Sequence, residues 1–130
     1  MLVIFGANGR MGRALVSEAL RQNWPVRAVV RDDRDGRGLD QLIDVSQISY
    51  ADADHEEAVS AVLYGATHVI SAINARAAGH GSPRYANEAG ANIVRAATAA
   101  GIENIVHFSV VGSFRWSPNP LNRRSFRLDR

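Results

Sequence analysis

Glycines stand at positions 6, 9 and 12 in Phe5-Gly-Ala-Asn-Gly-Arg-Met-Gly12, after an apolar run at residues 2–5 and before a stretch of helical periodicity. A strand that ends in such a turn and feeds a helix makes a cradle for anions. The first N–H groups of the helix have no partner of their own, and its dipole is positive at that end. Gly6 allows the sharp turn, Gly9 lets a pyrophosphate approach the backbone, and Gly12 lets the helix lie close on the strand. The chemistry this spacing offers is the binding of a dinucleotide's phosphates by free N–H groups at residues 9–11. Asn8, Arg10 and Met11 are carried on the same turn as further contact residues.

The second strand should end at Arg31, nineteen positions after Gly12. An acidic residue at that place would hold a ribose 2′-hydroxyl and select NAD, whereas an arginine accommodates a 2′-phosphate. Arg10 and Arg34 could converge on the same phosphate, which a planar guanidinium grips with two N–H groups. Asp32 and Asp33 come immediately after and would serve an NAD ribose if the register shifted by one. The arrangement favours NADP(H) over NAD(H).

These residues need a scaffold, and the rest of the chain supplies one. Short β-branched runs alternate with helical periodicity, the pattern of βαβ units around a parallel sheet. Strands are expected at residues 2–5, 26–31, 47–50, 68–73 and 104–109. The first helix should run to about Gln22, with Met11, Leu15 and Ala19 on its inner face and Arg13, Arg21 and Gln22 outward. Residues 32–40 read as a surface loop, followed by a short helical piece around 39–44. The acidic stretch Asp52-Ala-Asp-His-Glu-Glu57 could bind a metal. It also reads as a helix start, with Asp54 as N-cap, Glu57 as its capping-box partner and acidic groups at the dipole's positive end. Capping is the preferred reading, and no metal site is assigned. A glycine- and alanine-rich loop at 74–83 leads to a long helix from about Arg84 to Ala100, closed by Gly101. Ala91, Val94, Arg95 and Thr98 illustrate how small that helix's faces are. The expected fold is α/β, a Rossmann-like doubly wound parallel sheet of about five strands in the order 3-2-1-4-5, apparently truncated after the fifth.

The Gly-x-x-Gly-x-x-Gly spacing departs from the commonest Gly-x-Gly-x-x-Gly fingerprint. It resembles the extended and atypical short-chain dehydrogenase/reductases, specifically their NmrA-like NAD(P)-binding branch. Three later segments match in order: Ala51-Asp52-Ala-Asp54, Gly65-Ala-Thr-His-Val-Ile-Ser-Ala-Ile-Asn74, and Asn92-Ile-Val-Arg-Ala-Ala-Thr-Ala-Ala-Gly101 with Val106. The resemblance covers residues 1–112 as an NAD(P)-binding domain and leaves 113–130 as a divergent basic tail. It implies that Asp52 contacts the adenine amino group. It also implies that Ser71, Ala72, Ile73 and Asn74 line the adenosine and nicotinamide side. Strand-end capping by Asp52 and plain strand packing by Ser71 are the alternatives. Ser109 matches the first serine of the family's Ser-Ser pattern, with Val110 in place of the second, and is a weak catalytic candidate that could touch a substrate.

Composition sets the remaining bounds. The chain has 130 residues, 46% of them hydrophobic and 22% charged, with no cysteine. Disulfides, thiolate catalysis and cysteine-held metals are therefore excluded. No apolar run reaches the roughly 18 residues needed to span a bilayer, and a cytoplasmic location is the default expectation. All fifteen basic residues are arginine, so the Tyr-x-x-x-Lys pair of typical short-chain reductases cannot occur within these residues. Five of the arginines lie beyond Gly112 against a single acid there, Asp129. Without a recognised motif, that basic end reads as solvated or partner-facing, and nucleic acid is not the expected partner. Three functions compete: an NAD(P)H-dependent reductase acting on a small acceptor, a non-catalytic nucleotide or redox sensor, and a dihydrodipicolinate-reductase-like enzyme, which opens with a similar glycine turn. An open sheet edge would also allow a homo-oligomer.

Overall fold

A computed structural model describes residues 1–32, 34, 36–73 and 83–108, the side chains of 83–87 excepted. Nine segments alternate as expected: β1 (Leu2–Phe5), α1 (Arg10–Arg21), β2 (Val26–Val30), a 3₁₀ turn (Val45–Gln47), β3 (Ile48–Tyr50), α2 (Glu56–Val62), β4 (His68–Ser71), α3 (Pro83–Ala99) and β5 (Asn104–His107). The strands form one parallel sheet in the order β3-β2-β1-β4-β5. Leu2 pairs with Val26 on one side and His68 on the other, which makes β1 the central strand.

The continuous apolar run of β1 is explained by burial on both faces. Val3 and Phe5 join Val29 and Val69 against α2 and α3, with Val59, Leu63, Ile93 and Ala97 above them. Leu2 and Ile4 join Val26, Ala28 and Val30 against α1, together with Val16, Ala19, Leu39 and Ile43. A side-chain period of two along each strand thus feeds two separate cores. Sheet burial fades at the margins, where β3 and β5 are half exposed. Beside α1, a groove on the sheet is lined by Leu15, Ala19, Trp24, Ile70 and Val106, with Glu18 and Glu103 at its rim.

Several local expectations are corrected. The fully buried face of α1 is Gly12, Val16 and Ala19; of the expected inner residues, Ala19 is there, Leu15 packs half-buried against the same core, and Met11 is not. Met11 is 46% exposed because the helix turns its third glycine, the only residue small enough, against the strand end. Arg13 is half-buried and bonded rather than directed at solvent. Residues 39–44 form turns, and the helical piece comes later, at Val45–Gln47, where the Asp44 carboxylate accepts from the Ser46 N–H. Two bonds from Ser46, its N–H and its hydroxyl, hold the Asp44 carboxyl below its ordinary pKa. The N-cap of α2 is His55 rather than Asp54, and it makes no side-chain capping bond. Asp52 folds the chain into an Asx turn by accepting from the Asp54 N–H, which moves the helix start one residue on. Glu56 and Glu57 do occupy the first turn, as the dipole argument requires. The buried face of α3 is Ala89, Asn92, Ile93, Ala96 and Ala97, while Val94, Arg95 and Thr98 face outward. Gly101 closes it with φ +74°, as expected of a C-cap glycine. Strands β2, β4 and β5 end at Val30, Ser71 and His107, one to two residues short of the expected limits. Asp33, Asn74, Ser109 and the tail at 113–130 lie outside the described residues.

Candidate functional site

In a parallel sheet every strand delivers its carboxyl end to the same edge, and ligands gather there where the strand order reverses. Here the reversal lies between β1 and β4, beside the turn that leaves β1. Four backbone bonds continue the ladder past the strands and fix the start of each connecting loop. The N–H groups of Ala7, Ala51, Ala72 and Phe108 donate to the carbonyls of Val29, Val30, Phe5 and Ser71 at 3.2, 2.9, 3.0 and 3.1 Å.

The turn itself is built from the absence of side chains. Gly6 has φ +70°, and a Cβ there would stand 3.1 Å from the Ala72 carbonyl carbon and 3.2 Å from Ile73 Cγ1. A Cβ on Gly12 would stand 2.1 Å from the Gly6 carbonyl oxygen and 2.7 Å from Ala7 Cα. Gly6 thus brings Ala72 and Ile73 over the turn, and Gly12 seats α1 directly on it. The N–H of Gly9 is not free, as the spacing had implied, because it donates to the Gly6 carbonyl at 3.1 Å. Arg13 N makes the first bond of the helix, to Gly9 O at 2.9 Å. The amides of Arg10, Met11 and Gly12 precede that bond, at the positive end of a twelve-residue helix.

Sequence reasoning missed the role of Arg13. Its Nε donates to Asn8 Oδ1 at 2.9 Å, and its Nη2 donates to the Arg37 carbonyl at 3.3 Å. The guanidinium ties the glycine turn to the loop after β2. That loop begins with Arg31, half-buried, immediately after the last residue of β2. Asp32 Oδ1 accepts from the Arg34 N–H at 2.9 Å, and its other oxygen lies 3.8 Å from Arg34 Nη2. Arg10 and Arg34 are both exposed.

At the end of β3, Asp52 is half-buried. Its Oδ1 lies 3.1 Å from the Asp54 nitrogen, and its carbonyl accepts from His55 N at 3.0 Å. The strand-end capping reading of Asp52 therefore describes a real contact. Ser71 ends β4 at 1% exposure, and its hydroxyl finds no hydrogen-bond partner among the described residues. In register it faces Phe5 on one side and His107 on the other. His107 was not singled out from sequence, although the alternation along β5 places it on the same face as Ile105. The structure thus brings the glycine turn, Arg31, Asp52, Ser71, Ala72 and Ile73 to one edge of the sheet. Among the described residues, no group of three or more His, Asp or Glu side chains could hold a metal. No helix among them is long and apolar enough to cross a membrane.

A dinucleotide fits this edge on its own geometry: the cradle has no room for a Cβ, and a helix N-terminus opens onto it. Comparison with known proteins agrees. The family model for NAD(P)H-binding domains matches residues 6–128. Among curated proteins, the Photosystem II assembly factor Ycf39 of Guillardia theta is 29% identical over 129 residues. That match takes in 98% of this chain and 40% of the relative. The same factor from Cyanophora paradoxa is 27% identical, over 94% of this chain and 38% of the relative. The chain thus spans about two-fifths of the length of these relatives. Among solved structures, the triphenylmethane reductase of Citrobacter sp. complexed with NADP(H) superposes with a TM-score of 0.75 at 20% identity, over 99% of this chain and 44% of that one. The NADPH-dependent quinone oxidoreductase of Escherichia coli complexed with NADPH gives 0.72 at 24% identity, over 99% and 43%. At these identities the structures speak for the fold. With the family model covering nearly the whole chain, this protein belongs to the NAD(P)H-binding family.

Proposed function

We propose that this chain binds NADP(H) in preference to NAD(H) along the carboxyl edge of its sheet and presents it for reduction of a small acceptor. The observation that carries this reading is the cradle at Gly6–Gly12 together with Arg31, rather than an acid, at the end of β2. The amides of Arg10, Met11 and Gly12 would take the pyrophosphate, with Asn8 held in place by Arg13. Arg31, Arg10 and Arg34 would serve the 2′-phosphate. Asp32, the nearest competitor for an NAD ribose, already accepts from the Arg34 N–H and lies beside its guanidinium. Asp52 would meet the adenine, and Ser71, Ala72, Ile73 and Asn74 would line the adenosine and nicotinamide side. The bound nucleotide supplies hydride chemistry, while the protein supplies binding and orientation. Among the solved neighbours, one reductase is complexed with NADP(H) and the quinone oxidoreductase is NADPH-dependent, which supports both the nucleotide and the class of reaction.

A second reading, a redox sensor that binds without turnover, is favoured by the lack of any lysine and hence of a Tyr-x-x-x-Lys pair in these residues. Calorimetric titration with NADPH and NADH, on the protein and on Arg31→Ala, tests the nucleotide reading. A charge-assisted contact to the 2′-phosphate predicts that NADPH affinity falls about 10- to 100-fold in the variant while NADH affinity stays level. Equal affinity of the unaltered protein for the two nucleotides would overturn the preference, and no heat with either would overturn the reading. NADPH oxidation with a quinone acceptor, present or absent, then separates reductase from sensor.

A further inference from the structure

Among the described residues, the buried face of α3 carries one polar side chain. Asn92 is 7% exposed among Ala89, Ile93, Ala96 and Ala97. Its Nδ2 donates to the carbonyl of Ala53 at 2.9 Å, thirty-nine residues away along the chain. Its Oδ1 accepts from Arg95 Nη2, one turn further along the helix. Arg95 Nε in turn lies 3.5 Å from Glu56 Oε2, in the first turn of α2. Residues 53 to 56 are therefore held by α3 at both ends: at the Ala53 carbonyl by Asn92, and at Glu56 by Arg95. Directly before them stands Asp52, whose side chain and carbonyl bond to the N–H groups of Asp54 and His55 inside the same turn.

We propose that Asn92 is a positioning residue for the adenine side of the nucleotide site, acting through the Ala53 carbonyl on the Asp52 turn; this rests on the reading of that edge as the site. Packing does not require an amide here. The surrounding face is alanine and isoleucine, and an apolar side chain of similar size would fill the same space. A buried amide is costly unless both of its ends are bonded, and Asn92 has both ends bonded, one to the turn at Ala53 and the other to Arg95 on its own helix. The clamp grips backbone, so it fixes where the turn lies whatever the neighbouring side chains do. Arg95 orients the carboxamide from outside. By holding Oδ1, it leaves Nδ2 facing Ala53.

The test uses variants that differ in what they remove. Asn92→Leu keeps the branched shape at a somewhat larger volume and deletes the bond to Ala53. Asn92→Asp keeps the acceptor for Arg95 but sets a carboxylate against the Ala53 carbonyl. Arg95→Ala, at an exposed side chain, removes the orienting contact and the ion pair with Glu56 together, and leaves the Asn92 bond to Ala53 in place. Each is titrated with adenosine 2′,5′-bisphosphate and with reduced nicotinamide mononucleotide, well below its melting temperature. The first probe carries the adenine side and the second does not. Loss of one buried hydrogen bond predicts about 5- to 10-fold weaker binding of the adenosine probe to Asn92→Leu and Asn92→Asp, with the nicotinamide probe unchanged. Arg95→Ala should show the same pattern at about 2- to 3-fold. A residue that merely stabilises the fold would lower the melting temperature and leave both affinities level, and that result overturns the proposal. If the Asn92 variants do not fold, Arg95→Ala decides: an adenosine-selective loss supports the clamp and none refutes it. Failure of the unaltered protein to bind the adenosine probe is a different outcome, which overturns the nucleotide reading and this inference with it.

Discussion

Gly12→Ala separates two opposed effects that ordinarily travel together. In a helix interior, alanine is about 1 kcal/mol better than glycine, so propensity alone predicts stabilisation. The site predicts the reverse, since a Cβ would lie 2.1 Å from the Gly6 carbonyl oxygen and 2.7 Å from Ala7 Cα. Non-bonded carbon contacts are comfortable only at about 3.5 Å, so α1 must retreat from the turn by about 1 Å or more. What blocks the methyl is backbone, which cannot step aside as a side-chain tip would. Overpacking of this kind costs about 1–3 kcal/mol and belongs at the upper end here, leaving a net loss of about 2 kcal/mol. For a domain of this size that lowers the melting temperature by several degrees, on the order of 5–10 °C. The retreat also moves the Arg10, Met11 and Gly12 amides, so NADPH affinity should fall with stability. Gly101→Ala is the control. Nothing stands within 4 Å of a Cβ there, but φ is +74°, so it should cost about 1–2 kcal/mol through the backbone while leaving nucleotide affinity unchanged. Urea unfolding tracked by circular dichroism, with NADPH titration beside it, measures both. A Gly12→Ala protein as stable as the parent would refute the claim that helix and turn are in hard contact.

Two further outcomes are expected from the same geometry. Ser71→Ala removes a buried hydroxyl that has no partner among the described residues, so stability without nucleotide should hold or rise by up to about 1 kcal/mol. If the hydroxyl serves the nucleotide, NADPH affinity should drop several-fold in the same variant, and thermal shift with and without NADPH reads both signs; a clear loss of stability without nucleotide would point to a structural partner instead. Glu18 is pulled from its ordinary 4.5 to about 2 by hydrogen bonds from Arg21 and Gln22. Its folded-state pKa is depressed, so its contribution is fully present above about pH 4.5 and is lost as pH falls through about 2. The stability gap between the protein and Glu18→Gln should therefore close over that window. Because the pair is exposed the gap should be small and shrink with added salt, and a gap independent of pH would refute the assignment.

The sheet was legible because each of its determinants is local. A continuous apolar run means a strand buried twice over, and Gly6, Gly9 and Gly12 declare a turn by residue type alone. Reading failed where two local rules competed for one segment. Asp54 has the composition of an N-cap, yet the Asx turn at Asp52 claims its N–H first and hands the cap to His55. Leu39 and Ile43 have helical spacing and are both buried, yet the chain between them is turns, entered through Gly38 at φ +76°, and tertiary burial requires no helix. On α1 the choice of Met11 lost to Gly12, since the closest approach of helix to strand outweighs the larger side chain's burial.

The long-range contacts that join loops, helices and strands, two of them at the site, were less legible, and for a common reason. Arg13 reaches the Arg37 carbonyl, Asn92 that of Ala53, Arg27 those of Val62 and Tyr64, and Gln47 that of Val26. Every acceptor is a backbone oxygen more than twenty residues away. Since each residue carries such an oxygen, the acceptor leaves no mark on the sequence, and only topology decides which one comes within reach. The donor does leave a mark where burial makes it costly. Asn92 interrupts an alanine-rich apolar face, and a buried amide there demands a distant partner. Arg13 gives a weaker signal, because an arginine after the third glycine satisfies itself equally well in water. The glycine turn can therefore be read from glycines alone, whereas the loops that follow β2 and β3 are set by polar side chains whose partners only the folded sheet supplies.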